Sequence, residues 1–113
     1  MRAASIALLT ASAVAAAGGQ ILFKLGADGR HHLIEFINAS IAGGLLLYGI
    51  GTAIWIYVLS TEALVNVFAF TALTFVLVFL GNMLIDGTNP SRTGLVGIIL
   101  VLSGLYLITR HNP

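Results

Sequence analysis

The chain has no cysteine, two prolines, and only five basic and four acidic residues in 113 positions. Without cysteine there can be no disulfide scaffold, thiol nucleophile or thiolate metal site. The shortage of charge excludes more. Only 8% of residues are charged, against roughly 25% in an ordinary soluble domain, while 58% are hydrophobic. A mean hydropathy of +1.04 leaves too little polar surface to clothe a soluble core, and disorder needs the opposite balance. A formal net charge of +1 offers no footprint for nucleic acid and no acidic field for a cationic partner. Catalytic patterns are missing as well: no Ser/His/Asp order, no glycine-rich phosphate loop and no paired carboxylates inside an apolar run, so the chain does not read as an enzyme and no cofactor is implied. His31 and His32 are adjacent and cannot share a helix face. With Asp28 and Glu35 they read as a solvated interfacial loop rather than a metal site.

What remains is a protein whose solvent is lipid. Four charge-free runs, 3–23, 36–61, 63–85 and 93–109, hold most of the chain. At about 1.5 Å rise per residue, each is near the ~20 residues that cross a hydrocarbon layer about 30 Å thick. Barrel strands would alternate polar and apolar residues, and LTFVLVFL and GIILVLSG do not. Arg2 followed by an alanine-rich run resembles a secretory signal, but the apolar run continues past its small residues through Gln20, so it is read as a first helix. The expected fold class is all-α, an integral membrane bundle of four transmembrane helices at about 3–26, 36–59, 63–85 and 93–110. These form one membrane domain over 1–113 with short hairpin links. The 86–92 connection carries Asp-Gly and Asn-Pro, which terminate helices.

Four spans put Arg2 and Arg110 on one face, and Arg30 and Arg92 on the other, with Lys24 if it reaches the interface. A basic bias this small predicts insertion in both orientations, as an antiparallel homodimer needs, or a partner subunit that sets the topology. Gly97 and Gly104, seven residues apart on the last helix, form a candidate close-packing seam, within the protomer or between two of them. Gly44, Tyr48, Gly51 and Trp55 repeat the device on the second helix, suiting ordinary packing or a groove for a lipid tail.

Polar side chains at membrane depth are costly and are the functional candidates. Gln20, Lys24 and Asp28 share a face at the end of the first helix. Lys24 either meets an anionic headgroup, with Gln20 one turn deeper and Asp28 neutralising it when empty, or snorkels to the interface. Asn66 shares a face with Phe70 and Thr74. Asn82 reads as an interhelical hydrogen-bonding residue, and Glu62 as a cap on the third helix. None of the four runs contains an Asp or Glu, the residue that would couple a proton to a cation.

The run Gly19-Gln20-Ile-Leu-Phe23-Lys24, the Asp86-Gly and Asn89-Pro90-Ser91-Arg92 loop, and Gly94 through Gly97 to Gly104 together resemble the small multidrug resistance branch of the drug/metabolite transporter superfamily. The resemblance implies dimeric four-helix protomers, the last helix as dimer contact through Gly97 and Gly104, and a chamber lined by the first three helices. Two departures narrow it. Ala16 stands where drug exporters keep a glutamate, and Phe70 with Ala72-Leu73-Thr74 stands where they keep a tryptophan and a Gly-x-Gly hinge. A Gln-x-x-x-Lys pair without the glutamate looks instead like the lipid-linked sugar branch, the four-helix flippase subunits for aminoarabinose-phosphoundecaprenol.

By that resemblance Gln20 and Lys24 would face the polar head and phosphate, and Tyr48, Trp55, Asn66 and Phe70 would line the chamber. The expected activity is transport of an amphipathic anionic lipid, a polyprenyl-phosphate-linked sugar, across a bacterial inner membrane by a homodimer or a heterodimer with a similar small subunit. Two other readings stand beside it: an exporter of hydrophobic or cationic compounds using Asp28 or Glu62, and an accessory subunit of a larger membrane complex.

Overall fold

A computed structural model describes residues 2–111. Helices run over Ala3–Ala27 (α1), Ala39–Leu59 (α2), Leu64–Ala69 (α3), Thr71–Asp86 (α4) and Arg92–His111 (α5), with a 3-10 turn at Leu33–Phe36. All secondary structure among the described residues is helical. α3 and α4 together form one span, and four helices are long and apolar enough to cross a membrane. The second helix starts at Ala39 rather than near residue 36. The chain tightens into the 3-10 turn, and the Asn38 side chain accepts from the Ile41 N–H at 3.0 Å, satisfying a helix-start donor. Gly87, at φ +66°, ends α4 in the left-handed conformation that glycine adopts at least cost, and Ser91 Oγ accepts the Gly94 N–H at 3.0 Å to start α5.

The third span is interrupted at Phe70. Its N–H bonds to the Val67 carbonyl at 3.1 Å, a three-residue reach that tightens the turn between α3 and α4. Around it sits the small core, where Leu9, Val58, Val67 and Phe70 meet and Trp55 and Leu105 pack alongside. This core lies at the end of the molecule where α2 turns into α3.

The closest helix pair is α1 with α2, and glycine makes it close. A Cβ on Gly19 would lie 2.8 Å from the Gly44 carbonyl oxygen and 3.0 Å from the Tyr48 backbone nitrogen; one on Gly51 would lie 2.9 Å from the Ser12 carbonyl oxygen. Such approach lets side chains reach the neighbouring backbone. Ser12 Oγ donates to the Gly51 carbonyl and Ser40 Oγ to the Leu22 carbonyl, each at 2.7 Å. Small residues with interhelical hydrogen bonds are how helices associate where lipid cancels the hydrophobic drive. Gly44 and Gly51 therefore serve packing within the chain.

Gly97 and Gly104 differ. A Cβ at either would meet nothing within 4 Å, and no residue of the apolar window of α5 is buried. The chain leaves this helix lightly held on one side of the bundle.

Candidate functional site

The alternation of large and small residues along α1 and α2 leaves space between these helices and the broken third span. A cavity of about 450 Å³ opens there. From α1 it takes Ser12, Ala16 and Gln20; from α2, Tyr48, Thr52 and Trp55; from the broken span, Phe68, Phe70, Thr71 and Thr74. The hydroxyls of Ser12, Thr52 and Thr74 are already engaged, donating to the carbonyls of Gly51, Tyr48 and Phe70. Among the described residues, the Gln20 amide, the Tyr48 hydroxyl and the Trp55 indole N–H form no hydrogen bond, so they remain available to a ligand. The Tyr48 ring is steadied by Phe23, centroids 6.0 Å apart and tilted by 42°. Ala16 presents only a methyl group to this space, and no carboxylate lines it.

A second hollow of about 290 Å³ lies between α1 and α4, lined by Lys24, Asp28, Asn82 and Asp86 among others. Gln20 lines both spaces and is their common wall. Lys24 Nζ lies 3.4 Å from Asp28 Oδ1, one turn apart on an exposed face. The i, i+4 spacing makes them neighbours, and exposure keeps their attraction small, roughly 0.3–0.5 kcal/mol. An incoming anion can displace Asp28 at little cost. Asp86 gives the hollow a second carboxylate and Asn82 an amide.

Of the six residues expected to meet a substrate, Gln20, Tyr48, Trp55 and Phe70 line the larger cavity and Lys24 lines the adjoining hollow. Asn66 is fully buried in the packed end of the bundle and lines neither. Helical spacing places Asn66 and Phe70 on one face, but the break at Phe70 changes what each meets.

Glu62 does not cap a helix. The residue at the start of α3 is Ala63, and the Glu62 carboxylate turns to α1, accepting from Ser5 Oγ at 2.6 Å with Arg2 Nε at 3.8 Å. Arg2 Nη2 also donates to Thr61 Oγ1 at 3.1 Å. The Ser5 hydrogen bond, assisted by the Arg2 backbone N–H and guanidinium charge, holds the Glu62 carboxyl below its ordinary value of 4.5 against the opposing effect of burial. Ser5 is itself buried, and this contact ties the start of α1 to the α2–α3 turn. The sequence signal for it was one of three hydroxyls in an apolar run, Ser5, Thr10 and Ser12, which names no partner.

No family model, curated protein or solved structure matches the chain.

Proposed function

We propose that the chain is a dimeric inner-membrane flippase for an amphipathic anionic lipid, a polyprenyl-phosphate-linked sugar. The observation that carries this reading is the shared Gln20 wall, which joins a cavity without a charged side chain to a hollow holding Lys24, Asp28 and Asp86. In this reading Lys24 receives the phosphate as a point charge, releasing Asp28, and sugar hydroxyls donate to Asp28 and Asp86. The first chain carbons lie against Tyr48, Trp55 and Phe70, and the rest of the chain stays in the bilayer. A second protomer, identical or similar, closes the open side of the cavity, and the unpartnered faces of Gly97 and Gly104 supply the contact. Exchange between two openings follows from rocking one protomer against the other.

The exporter reading needs a carboxylate in the path. Ala16 leaves the larger cavity without one, Glu62 is engaged by Ser5 and Arg2 outside it, and Asp28 in the adjoining hollow lies 3.4 Å from Lys24. The deciding experiment uses proteoliposomes with a fluorescent polyprenyl-phosphate sugar in one leaflet. Lys24→Ala is expected to lower flux at least tenfold while circular dichroism and elution volume stay unchanged. Normal flux in that variant would refute the phosphate role, and substrate-dependent proton movement after a pH jump would favour the exporter. Failure of the purified chain to move lipid by itself would favour an accessory role.

A further inference from the structure

A third cavity, of about 410 Å³, opens at the other end of the molecule from Lys24. Ile6 of α1, Phe70, and Leu102, Leu105, Tyr106 and Arg110 of α5 are among its walls. All but Arg110 and one threonine are apolar or aromatic. Four antiparallel spans place Ile6, Arg110 and Glu62 at one membrane face, and Lys24, Asp28 and Asp86 at the opposite one.

Two features suit this crevice to a lipid with an anionic head. The first is charge. The ion pairs among the described residues are Arg2 with Glu62 and Lys24 with Asp28, so Arg110 belongs to neither. Its guanidinium instead sits over the Tyr106 ring, 5.9 Å from the centroid, an arrangement that holds the group at the cavity mouth and leaves its N–H donors open to an anion. The second is connection. Phe70 lines both this crevice and the central cavity, and it sits at the break between α3 and α4. One aromatic side chain at the interruption of a span thus separates the two spaces.

We propose that this crevice is a second lipid site, on the membrane face opposite Lys24. Arg110 binds the phosphate ester of an anionic lipid, and the first chain carbons lie against Ile6, Leu102 and Leu105. The site extends the flippase reading by giving the phosphate a station in the second leaflet, behind Phe70. Its occupation requires only the membrane-spanning fold, and its test does not depend on flux.

The probe is a tryptophan in the crevice. Trp55, the only native tryptophan, is replaced by phenylalanine, and Leu102→Trp reports contact with chain-brominated lipids in nanodiscs. Brominated phosphatidic acid is expected to quench at about a fivefold lower mole fraction than brominated phosphatidylcholine, the weight of one basic side chain on an anionic lipid. Arg110→Gln removes that preference, Lys24→Ala keeps it, and millimolar inorganic phosphate does not displace the lipid. In parallel, native mass spectrometry of the chain with Trp55 and Leu102 intact should show one retained phosphatidic acid that Arg110→Gln loses, which covers the case in which the reporter variant does not fold. Equal quenching by both lipids, a preference that survives Arg110→Gln, or release by inorganic phosphate overturns the proposal. Quenching by neither lipid overturns it too. Loss of flux in Lys24→Ala with no lipid preference at Arg110 would reject this site alone; the converse pair of results would reject the flippase reading alone.

Discussion

The α1–α2 seam makes a quantitative prediction from one substitution at two glycines. Gly19→Ala places a methyl group 2.8 Å from the Gly44 carbonyl oxygen and 3.0 Å from the Tyr48 nitrogen, both backbone atoms that cannot rotate aside. Reaching ordinary contact at 3.4 Å requires the helices to part by about 0.6 Å. A gap of that size forfeits roughly a quarter of the dispersion attraction along the seam. It also stretches the 2.7 Å bonds from Ser12 to Gly51 and from Ser40 to Leu22. Overpacking of this kind costs about 1–3 kcal/mol, and the helix propensity gained by replacing glycine with alanine offsets about 1 kcal/mol of it. Gly97→Ala meets nothing within 4 Å in the protomer, so only the propensity gain remains. The two variants should therefore differ by about 1–3 kcal/mol, Gly97→Ala being the more stable. Reversible unfolding in mixed detergent micelles, followed by helical circular dichroism at dilutions giving one chain per micelle, measures the difference. If Gly19→Ala is as stable as Gly97→Ala, the seam does not hold the hairpin as argued.

Two further expectations concern carboxylates. Because the folded protein holds Glu62 below its ordinary value of 4.5, the stabilisation from Ser5 and Arg2 is complete above that pH and is lost as pH falls through the depressed folded value. Acid unfolding curves should show this loss in the native chain and a smaller one in Glu62→Gln; superposable curves would show that the contact does not stabilise the fold. Ala16→Glu puts a carboxylate into a cavity that has none, where a lipophilic cation can pair with its ionised form. Tetraphenylphosphonium binding, read by Trp55 fluorescence, should appear in Ala16→Glu and strengthen with rising pH, while the native chain shows neither effect.

The all-helical class and the four long apolar helices were legible because they depend on where nine charged residues fall, and a charge is excluded from hydrocarbon wherever the helices pack. The 86–92 turn was equally legible, since Asp86-Gly87 and Asn89-Pro90 act through their own backbone preferences, and α4 ends at Gly87 with a positive φ. Helical spacing also put Gln20 and Lys24 on one face, and Tyr48 and Trp55 on another. It did not say what those faces meet. Glycines at seven-residue spacing occur on both α2 and α5, yet only the α2 set lies against another helix, because Gly19 of α1 is in register with it.

The pairing of Glu62 with Ser5, 57 residues away, the burial of Asn66 and the break at Phe70 were decided by tertiary structure alone. Each depends on which helix comes alongside, a long-range choice that side-chain periodicity along one segment does not encode. The same holds for the division of the candidate residues between two hollows that meet at Gln20. The sequence by itself determined that the chain has four segments apolar enough to cross a membrane and where it turns between them, because transfer energies and turn preferences are local. The close approach of α1 to α2 decided where space and polar groups coincide, because a cavity belongs to no single helix.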